Sequence, residues 1–464
     1  MKDDRENALT VSRLFSDHAV IQRRKEIQVW GSAPDGTEVT VTFAGRTRSA
    51  IAESGRWSVR LDPMEAGGPY ELRITDGERE IVARDVLVGE VWVAGGQSNM
   101  GYSFSEIGGV HAEGECEELN GSHDSIRLFK AAEHASDCPE TDFAGGDWKR
   151  LSAGLLPGLA AIPVYFAIEL QRRLNVPIGI VQLSRAGTKA ACWVPRRLAA
   201  QPEFAYLLEE EAVEREKLSH ENPHRPFALY HGTVIPAQPF AIRGFIWYQG
   251  ESDALEGKAD RYSLLFPALI DAWRDGWDEP DAPFLFVQLP GYDKGTEQWA
   301  IVREAQRLAA KQVPHTGMAV TIDLEERGEL HPKRKRPVVE RLALLAGAIV
   351  YGDRATGRGP ELLRAYAAST GTCVTFDIAD SALAIKAGEP LDGFELCGED
   401  GRFVSARAEV VGPDTVRVLH DELAEPVRIR YGWAAAPIVR LTNREGNPAS
   451  PFRTDINREM GEQL

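Results

Sequence analysis

The chain has 464 residues, and its 53 Lys and Arg against 70 Asp and Glu give a formal net charge of −17. This length predicts two to four domains at about 100–200 residues each, and 43% hydrophobic with 27% charged residues is the usage of a folded globular protein, not a disordered one. The negative charge argues against a nucleic acid partner, because phosphate backbones bind basic surfaces.

The sequence also gives no signal for export, membrane insertion or disulfides. The first ten residues, MKDDRENALT, are charged where a signal peptide has its apolar segment, so we expect a cytoplasmic protein. The most apolar stretch, 151–170, contains two prolines, and no membrane span is predicted. The five cysteines are widely spaced and form no CxxC pair, so we expect neither a disulfide framework nor a zinc site.

Residues 10–90 consist of short β-branched and aromatic runs separated by turn residues, as in IQVWGSAPDG, EVTVTFAG and GRWSVRLDP. That spacing is typical of an antiparallel sandwich or barrel. We therefore expect an N-terminal β-sandwich over residues 1–88.

From residue 90 onward, apolar runs without alternation are separated by amphipathic stretches, which predicts parallel strands covered by helices on both faces. The predicted strands are Glu90–Ala94, Ile178–Leu183, Gly244–Tyr248, Pro283–Leu289 and Met318–Ile322. Helical spacing occurs after Pro163, in QWAIVREAQRLAAKQV and in RKRPVVERLALLAGAIV. We expect a doubly wound α/β domain over 89–352, followed by a β-rich module over 353–464.

Ligands of open α/β sheets bind at the carboxyl ends of the strands, so the loops that follow the predicted strands are the first places to look. The first strand leads to GGQSNM, where Ser98 is a candidate nucleophile, although a helix N-cap is a competing interpretation. The second leads to Gly187, whose amide can approach a substrate closely. The third leads to WYQGESDA, with Gln249 as a neutral donor and Glu251 as a carboxylate.

A neutral serine needs a base, and His331 lies in the loop IDLEERGELHPKRK after the fifth predicted strand. Histidine has the ordinary pKa that suits this task. His231, which precedes the third strand, is the alternative, with a structural or substrate-contacting role expected.

These loops, in this order, resemble the SGNH hydrolase superfamily and, within it, the sialate O-acetylesterase-like carbohydrate esterases. VLVGEVWVAGGQSNM is similar to the nucleophile block of that family, IWYQGESDA to its third block and TIDLEERGELHPKRKRPVVERLAL to its histidine block. The segments LFSDHAVIQR, REAQ at 303–306 and YGWAAAPIVRLTNREGNPASPFRTD are also similar to family sequence. The resemblance covers nearly the whole chain and implies a three-layer α/β/α core with a parallel sheet.

The resemblance implies that Ser98 is the nucleophile and His331 the general base and acid. The oxyanion hole would consist of the Ser98 and Gly187 amides and the Gln249 side chain. The predicted substrate contacts are Gln97, Arg185, Trp193, His231 and Arg303. For Arg185, Trp193 and Arg303, a surface or core role is the alternative. No metal or organic cofactor is implied, because serine and histidine suffice for ester cleavage.

The acid that orients His331 is left open. The superfamily has Asp three residues before the histidine, where this chain has Gly328, and nearer relatives have an acid two residues before it, where this chain has Glu329. Glu251 is the alternative, as is a backbone carbonyl.

The expected function is the release of acetate from O-acetylated sugars, either sialic acids or fragments of plant polysaccharides. We expect a sugar or oligosaccharide as partner, no membrane, and a possible homo-oligomer. The alternatives are an acetylxylan-type esterase, a glycan-binding protein with an inactive hydrolase core, and a lipase or thioesterase.

Overall fold

The computed structural model describes residues 8–109, 119, 121, 123–217, 222–354, 357–385, 389–421, 423 and 425–456. The chain divides into two compact units, Met1–Tyr248 with Ala268–Phe284 (the first unit) and Gln249–Pro267 with Leu285–Leu464 (the second unit). Four of the five cysteines are described and are free thiols, whereas Cys116 lies outside the described residues. Within those residues, no helix combines the length and apolar character that crossing a bilayer requires.

The N-terminal part of the first unit is built from β-strands, which confirms the β-rich prediction for residues 10–90. They are β1 Val20–Gln22, β2 Ile27–Ser32, β3 Glu38–Phe43, β4 Arg46–Ile51, β5 Arg56–Leu61, β6 Gly67–Thr75 and β7 Glu80–Gly96. Buried and exposed residues alternate along β5, as expected of a strand with one face on the core. β2 and β5 pair antiparallel, while β3 pairs with β4 and β6, and β6 with β7.

The second half of β7 belongs to a mostly parallel central sheet. The other strands of this sheet in the first unit are β8 His123–Lys130, β9 Trp148–Leu151, β10 Ile178–Ser184 and β11 Gly244–Tyr248. Their order is β11-β7-β10-β8-β9, and only β9 is antiparallel to its neighbour. In this register Gly96 lies opposite both Ser184 and Tyr248, so three strands end at the same level. β8 was not predicted, because its run HDSIRLFK begins with polar residues.

Seven α-helices are described. They are α1 Ser98–Gly101, α2 Ala161–Leu174, α3 Tyr206–Lys217, α4 Glu251–Leu255, α5 Ala259–Trp277, α6 Glu297–Gln312 and α7 Arg336–Val350. The three predicted helices correspond to α2, α6 and α7, although α2 begins two residues before Pro163. α5 was not predicted, and it contains Pro267 in its interior.

The second unit continues the α/β pattern and then becomes β-rich. β12 Phe284–Val287 is followed by β13 Thr316–Ala319, against which α6 and α7 pack. The amide of Gln288 donates to the carbonyl of Ala319 at 2.9 Å, which joins the carboxyl ends of these two strands. β13 ends earlier than predicted, because residues Ile322–Leu324 form a 3-10 turn.

The C-terminal β-rich prediction is confirmed by ten strands. They are β14 Glu361–Ala368, β15 Gly371–Asp377, β16 Leu383–Ile385, β17 Phe394–Cys397, β18 Phe403–Ser405, β19 Arg407–Val410, β20 Thr415–Leu419, β21 Arg428–Tyr431, β22 Leu441–Asn443 and β23 Phe452–Asp455. Two four-stranded antiparallel sheets have the orders β14-β15-β20-β19 and β18-β17-β21-β23. The rings of Phe394, Tyr431 and Phe452 pack together in the core of this region.

Candidate active site

Ser98 follows a sharp turn at the carboxyl end of β7. Gly96 has a φ of +135°, and a Cβ at this position would lie 2.2 Å from the carbonyl oxygen of Tyr248. Only glycine therefore lets β7 run this close to β11 and still turn. The amide of Gln97 donates to the same carbonyl at 3.0 Å, which fixes the turn.

Ser98 is the first residue of α1, and the N-cap position belongs to Gln97, whose side chain makes no cap hydrogen bond. The N-cap interpretation of Ser98 was therefore wrong. Ser98 is 8% exposed, and its neighbours Gln97 and Asn99 are buried. The amides of Met100 and Gly101 both donate to the Gln97 carbonyl, at 3.0 and 3.1 Å. The amides of the first turn of a helix point toward its N-terminal end, which is a direction suited to binding an oxyanion.

The turn after β10 carries Arg185 and Gly187. The Arg185 amide donates to the Gly96 carbonyl at 3.0 Å, which attaches this turn to the end of β7. Gly187 is exposed and has a φ of +73°, a conformation that favours glycine. The Thr188 hydroxyl donates to the Arg185 carbonyl at 2.8 Å and accepts from the Trp193 indole at 3.0 Å. These two hydrogen bonds hold the turn in place.

Trp193 is a core residue. It is fully buried, and its ring lies 5.9 Å from that of Trp247 and 6.4 Å from that of Trp273. The Trp273 indole also donates to the Trp193 carbonyl at 2.9 Å. The structure corrects the predicted sugar contact, because a ring enclosed in this way offers no face for a sugar.

Arg185 forms an ion pair with Glu133. Both side chains are partly exposed, at 36% and 42%. The guanidinium was predicted to contact substrate, and in this arrangement its charge is already matched by a carboxylate of the chain.

His231 lies in a π-helical turn, Tyr230–Val234, and is 7% exposed. Burial lowers the pKa of its imidazole, and hydrogen bonds with the backbone of Asp137 and Ser136 oppose that shift without cancelling it. The neutral ring is therefore favoured, as expected of a structural histidine.

In the second unit, Gln249 is completely buried and held at both its side chain and its backbone. Its Nε2 donates to the carboxylate of Asp253 at 2.5 Å. Its backbone carbonyl accepts from Gln306 Nε2 at 3.1 Å and from the Tyr262 hydroxyl at 3.4 Å. The next residue, Gly250, has a φ of +134° and is the N-cap of α4.

Glu251 and Lys335 are both buried, at 1% and 2% exposed. Burial lowers the pKa of the Lys335 ammonium to about 7, while the negative charges of Glu251 and Glu326 act in the opposite direction. Glu251 is thus a carboxylate removed from solvent with a lysine in electrostatic range.

The loop that carries His331 is organised by Glu326. One oxygen of this carboxylate accepts from the amides of Lys333 and Arg334, each at 3.0 Å. His331 is half-buried, whereas Glu329 is exposed. Within the part of the chain that the structure describes, the Glu329 carboxylate makes no hydrogen bond or ion pair, so it holds nothing in place here.

Arg303 was predicted to contact substrate, and the structure corrects this as well. Its side chain is fully buried and donates to the carbonyls of Ala435, at 3.0 Å, and Ala434. Burial lowers its pKa to about 9. Arg303 therefore fastens the C-terminal segment to α6.

Two residues of this region were not predicted individually: Asp253 and Gln306. The signal for Gln306 was the REAQ segment, which resembles family sequence, and the signal for Asp253 was its position four residues after Gln249. Among the described residues, no three His, Cys, Asp or Glu side chains are grouped so as to hold a metal ion.

Comparison with known proteins identifies the family of this chain. Residues 88–341 match the family model for carbohydrate esterases described as sialic acid-specific acetylesterases. The chain is 31% identical to the sialate O-acetylesterase of Mus musculus over an alignment of 394 residues, with 72% of this chain and 72% of the relative covered. It is 29% identical to the sialate O-acetylesterase of Homo sapiens, with 72% of this chain and 69% of the relative covered.

A crystal structure of a carbohydrate acetylesterase from Xanthomonas citri is 35% identical to this chain and superposes with a TM-score of 0.86, covering 96% of this chain and 99% of that one. The candidate nucleophile, the QGE segment and His331 all lie in the region that the family model spans. From these matches we conclude that the chain belongs to the sialic acid-specific acetylesterase family of carbohydrate esterases and is a carboxylic ester hydrolase.

Proposed function

We propose that the chain releases acetate from O-acetylated sugars, with Ser98 as nucleophile and His331 as general base and acid. The observation that carries this proposal is the position of Ser98 at the start of α1, directly after the turn at Gly96. A nucleophile on a tight strand-to-helix turn has its hydroxyl and the neighbouring amides presented together. We further propose an SGNH-type three-layer core over 89–352 between β modules at 1–88 and 353–464.

The reaction has two steps. His331 takes the proton of the Ser98 hydroxyl as its oxygen bonds to the acetyl carbon, and the carbonyl electrons move onto oxygen. Collapse of this intermediate breaks the bond to the sugar oxygen, to which His331 returns the proton. Water then attacks the acetyl carbon of the acetyl-serine as His331 takes its proton. Collapse of this second intermediate breaks the bond to the Ser98 oxygen, to which His331 returns that proton, and the acetic acid released ionises to acetate.

Three donors are proposed for the oxyanion: the amides of Ser98 and Gly187 and the side chain of Gln249. The positive φ of Gly187 and the exposure of its backbone support an amide that a substrate can reach. The burial of Gln249 supports a strong contribution, because a hydrogen bond is worth more where water is excluded.

We propose Glu251 as the acid that orients His331. Its carboxylate is buried, whereas that of Glu329 is exposed and makes no hydrogen bond or ion pair with any described side chain. A charge removed from water stabilises an imidazolium more strongly than one in solvent.

Arg185 bears on the identity of the sugar. Its ion pair with Glu133 leaves less positive charge for a substrate carboxylate, and the chain as a whole carries a charge of −17. Both features disfavour anionic ligands, so we propose that neutral acetylated sugars are better substrates than acetylated sialic acids.

The experiment is an acetate-release assay with acetylated xylo-oligosaccharides, simple acetyl sugars, O-acetylated sialic acids and an octanoyl ester. The wild type should release acetate from sugars, and Ser98→Ala should lose on the order of 10⁴- to 10⁶-fold in kcat with an unchanged circular dichroism spectrum. Ser263→Ala, which alters an exposed serine on α5, is the control.

Retained turnover in Ser98→Ala would exclude this serine as nucleophile. Faster cleavage of the octanoyl ester would favour a lipase or thioesterase. A wild type that binds glycans but is not labelled by a fluorophosphonate would be a glycan-binding protein.

A further inference from the structure

Gln249 poses a problem of orientation that the structure resolves. A carboxamide has an oxygen and a nitrogen of nearly equal size, and only the nitrogen can donate to an oxyanion. If the group were turned over, its oxygen would face the developing negative charge and oppose the reaction. Something must therefore fix which end of the amide faces which way.

Asp253 supplies that constraint. Its carboxylate lies 2.5 Å from Gln249 Nε2, and a carboxylate can only accept, so the nitrogen and not the oxygen must face it. Gln249 is 0% and Asp253 3% exposed, which makes this a charge-assisted hydrogen bond away from solvent. The amide nitrogen has a second N–H, which can serve another acceptor while the first stays on Asp253.

The backbone around this pair is held as firmly as the side chains. Gln306 donates to the Gln249 carbonyl at 3.1 Å and to the Val287 carbonyl at 3.2 Å, while its Oε1 accepts from the Leu289 amide at 3.0 Å. Gln306 is 0% exposed, and all of these partners belong to the second unit. With the backbone held, the side-chain torsions of Gln249 remain, and the hydrogen bond to Asp253 restrains the rotation that decides which end of the amide faces the carboxylate.

We propose that Asp253 is a positioning residue, which holds the Gln249 amide with its nitrogen available to the oxyanion. This inference rests on the proposed function, because it requires Gln249 to be an oxyanion donor. It goes beyond that function in assigning a role to a carboxylate that does not itself touch the reacting atoms.

The test is a double-mutant cycle on the full chain with a chromogenic acetyl ester, comparing Asp253→Asn, Gln249→Ala and the double variant. The carboxamide introduced by Asp253→Asn can present either an oxygen or an N–H, so the amide of Gln249 is no longer held one way round. We expect Gln249→Ala to lower kcat by about 10²-fold and Asp253→Asn by about 10- to 10²-fold. KM should change little, because the oxyanion exists only in the transition state.

In the Gln249→Ala background, Asp253→Asn should change kcat by less than about twofold, because the Gln249 amide that it would orient is gone. The rate of fluorophosphonate labelling, which forms a similar tetrahedral oxyanion, should follow the same pattern. Asp260→Asn, the same substitution at an exposed position of α5, is the matched control.

Several results would contradict the positioning role of Asp253. If Asp253→Asn lowers kcat equally in both backgrounds, or leaves it at the wild-type value while Gln249→Ala is impaired, the positioning role is wrong. If Gln249→Ala retains wild-type kcat, the oxyanion role of Gln249 itself fails. Should Asp253→Asn not fold, Asp253→Ala takes its place in the cycle, and failure of both to fold makes Asp253 a structural residue and overturns the proposal.

Discussion

The side chain of Gln306 donates a hydrogen bond of 3.1 Å to the backbone carbonyl of Gln249. This contact joins α6 to the loop that carries the proposed oxyanion donor and leads into Glu251 at the start of α4. Since both residues are fully buried, breaking this hydrogen bond would leave a buried donor and acceptor without this partner, at a cost of about 1–3 kcal/mol, which favours the observed position of the loop.

Glu251→Gln should lower kcat for acetyl ester cleavage by about 10²- to 10⁴-fold, and Glu329→Gln should leave it within about threefold of the wild type, the effect of a screened surface charge. The reason is that Glu251 is buried, whereas Glu329 is exposed. Steady-state kinetics of the two variants, with circular dichroism to confirm folding, make this comparison. The reverse order would assign the orienting acid to Glu329, and two near-normal rates would leave a backbone carbonyl in that role.

Glu133→Gln should improve the use of acidic sugars by releasing the positive charge of Arg185. We expect kcat/KM for O-acetylated sialic acid to rise about fivefold, which corresponds to about 1 kcal/mol for a partly exposed ion pair. The value for a neutral acetyl sugar should not change. Glu203→Gln, at an exposed position, controls for the loss of one negative charge, and an equal rise in both variants would refute a specific role for the pair.

Lys335→Met should change how stability depends on pH. The pKa of Lys335 is lowered from 10.5 to about 7 by burial, so between these values the unfolded chain binds a proton that the folded chain does not. The free energy of unfolding therefore rises with pH across this window because of Lys335, by about 1 kcal/mol per pH unit. Urea unfolding at pH values from about 7 to 10 should show that rise reduced in Lys335→Met and retained in Lys311→Met, which alters an exposed lysine. The same slope in Lys335→Met and the wild type would contradict the assignment.

Arg303→Lys should reduce stability and leave substrate specificity unchanged. A single ammonium cannot span the carbonyls of Ala434 and Ala435 as the planar guanidinium does. We expect a loss of about 1–3 kcal/mol in the free energy of unfolding, measured by chemical denaturation, with KM for neutral and acidic sugars unaltered. Arg261→Lys at an exposed position is the control. A raised KM for acidic sugars with normal stability would restore Arg303 to the substrate site.

Periodicity and turn residues in the sequence were enough to predict the β-rich ends and the parallel strands that became β7, β10 and β11. Alternation of polar and apolar residues indicates half-buried strands, and short apolar runs bounded by turn residues indicate buried ones. β8 and α5 were not predicted in this way. β8 begins with polar residues, which disfavour a strand, and α5 contains Pro267, which disfavours a helix. Tertiary packing therefore determined both elements.

In the site, too, the sequence predicted some features and tertiary packing determined others. Ser98, Gln249, Glu251 and His331 were singled out from the sequence by their places after predicted strands and by family resemblance, since strand-end loops carry ligands whatever the packing around them. Whether a side chain is buried or available is set by neighbours far away in the sequence.

Arg303 and Trp193 show that dependence. Both have the chemistry of sugar-binding residues, yet the carbonyls of Ala434 and Ala435 occupy the guanidinium of Arg303, and two tryptophan rings enclose the indole of Trp193. Only the tertiary structure could assign those partners, because the order of residues along the chain does not reveal which distant groups compete for a donor or a ring face.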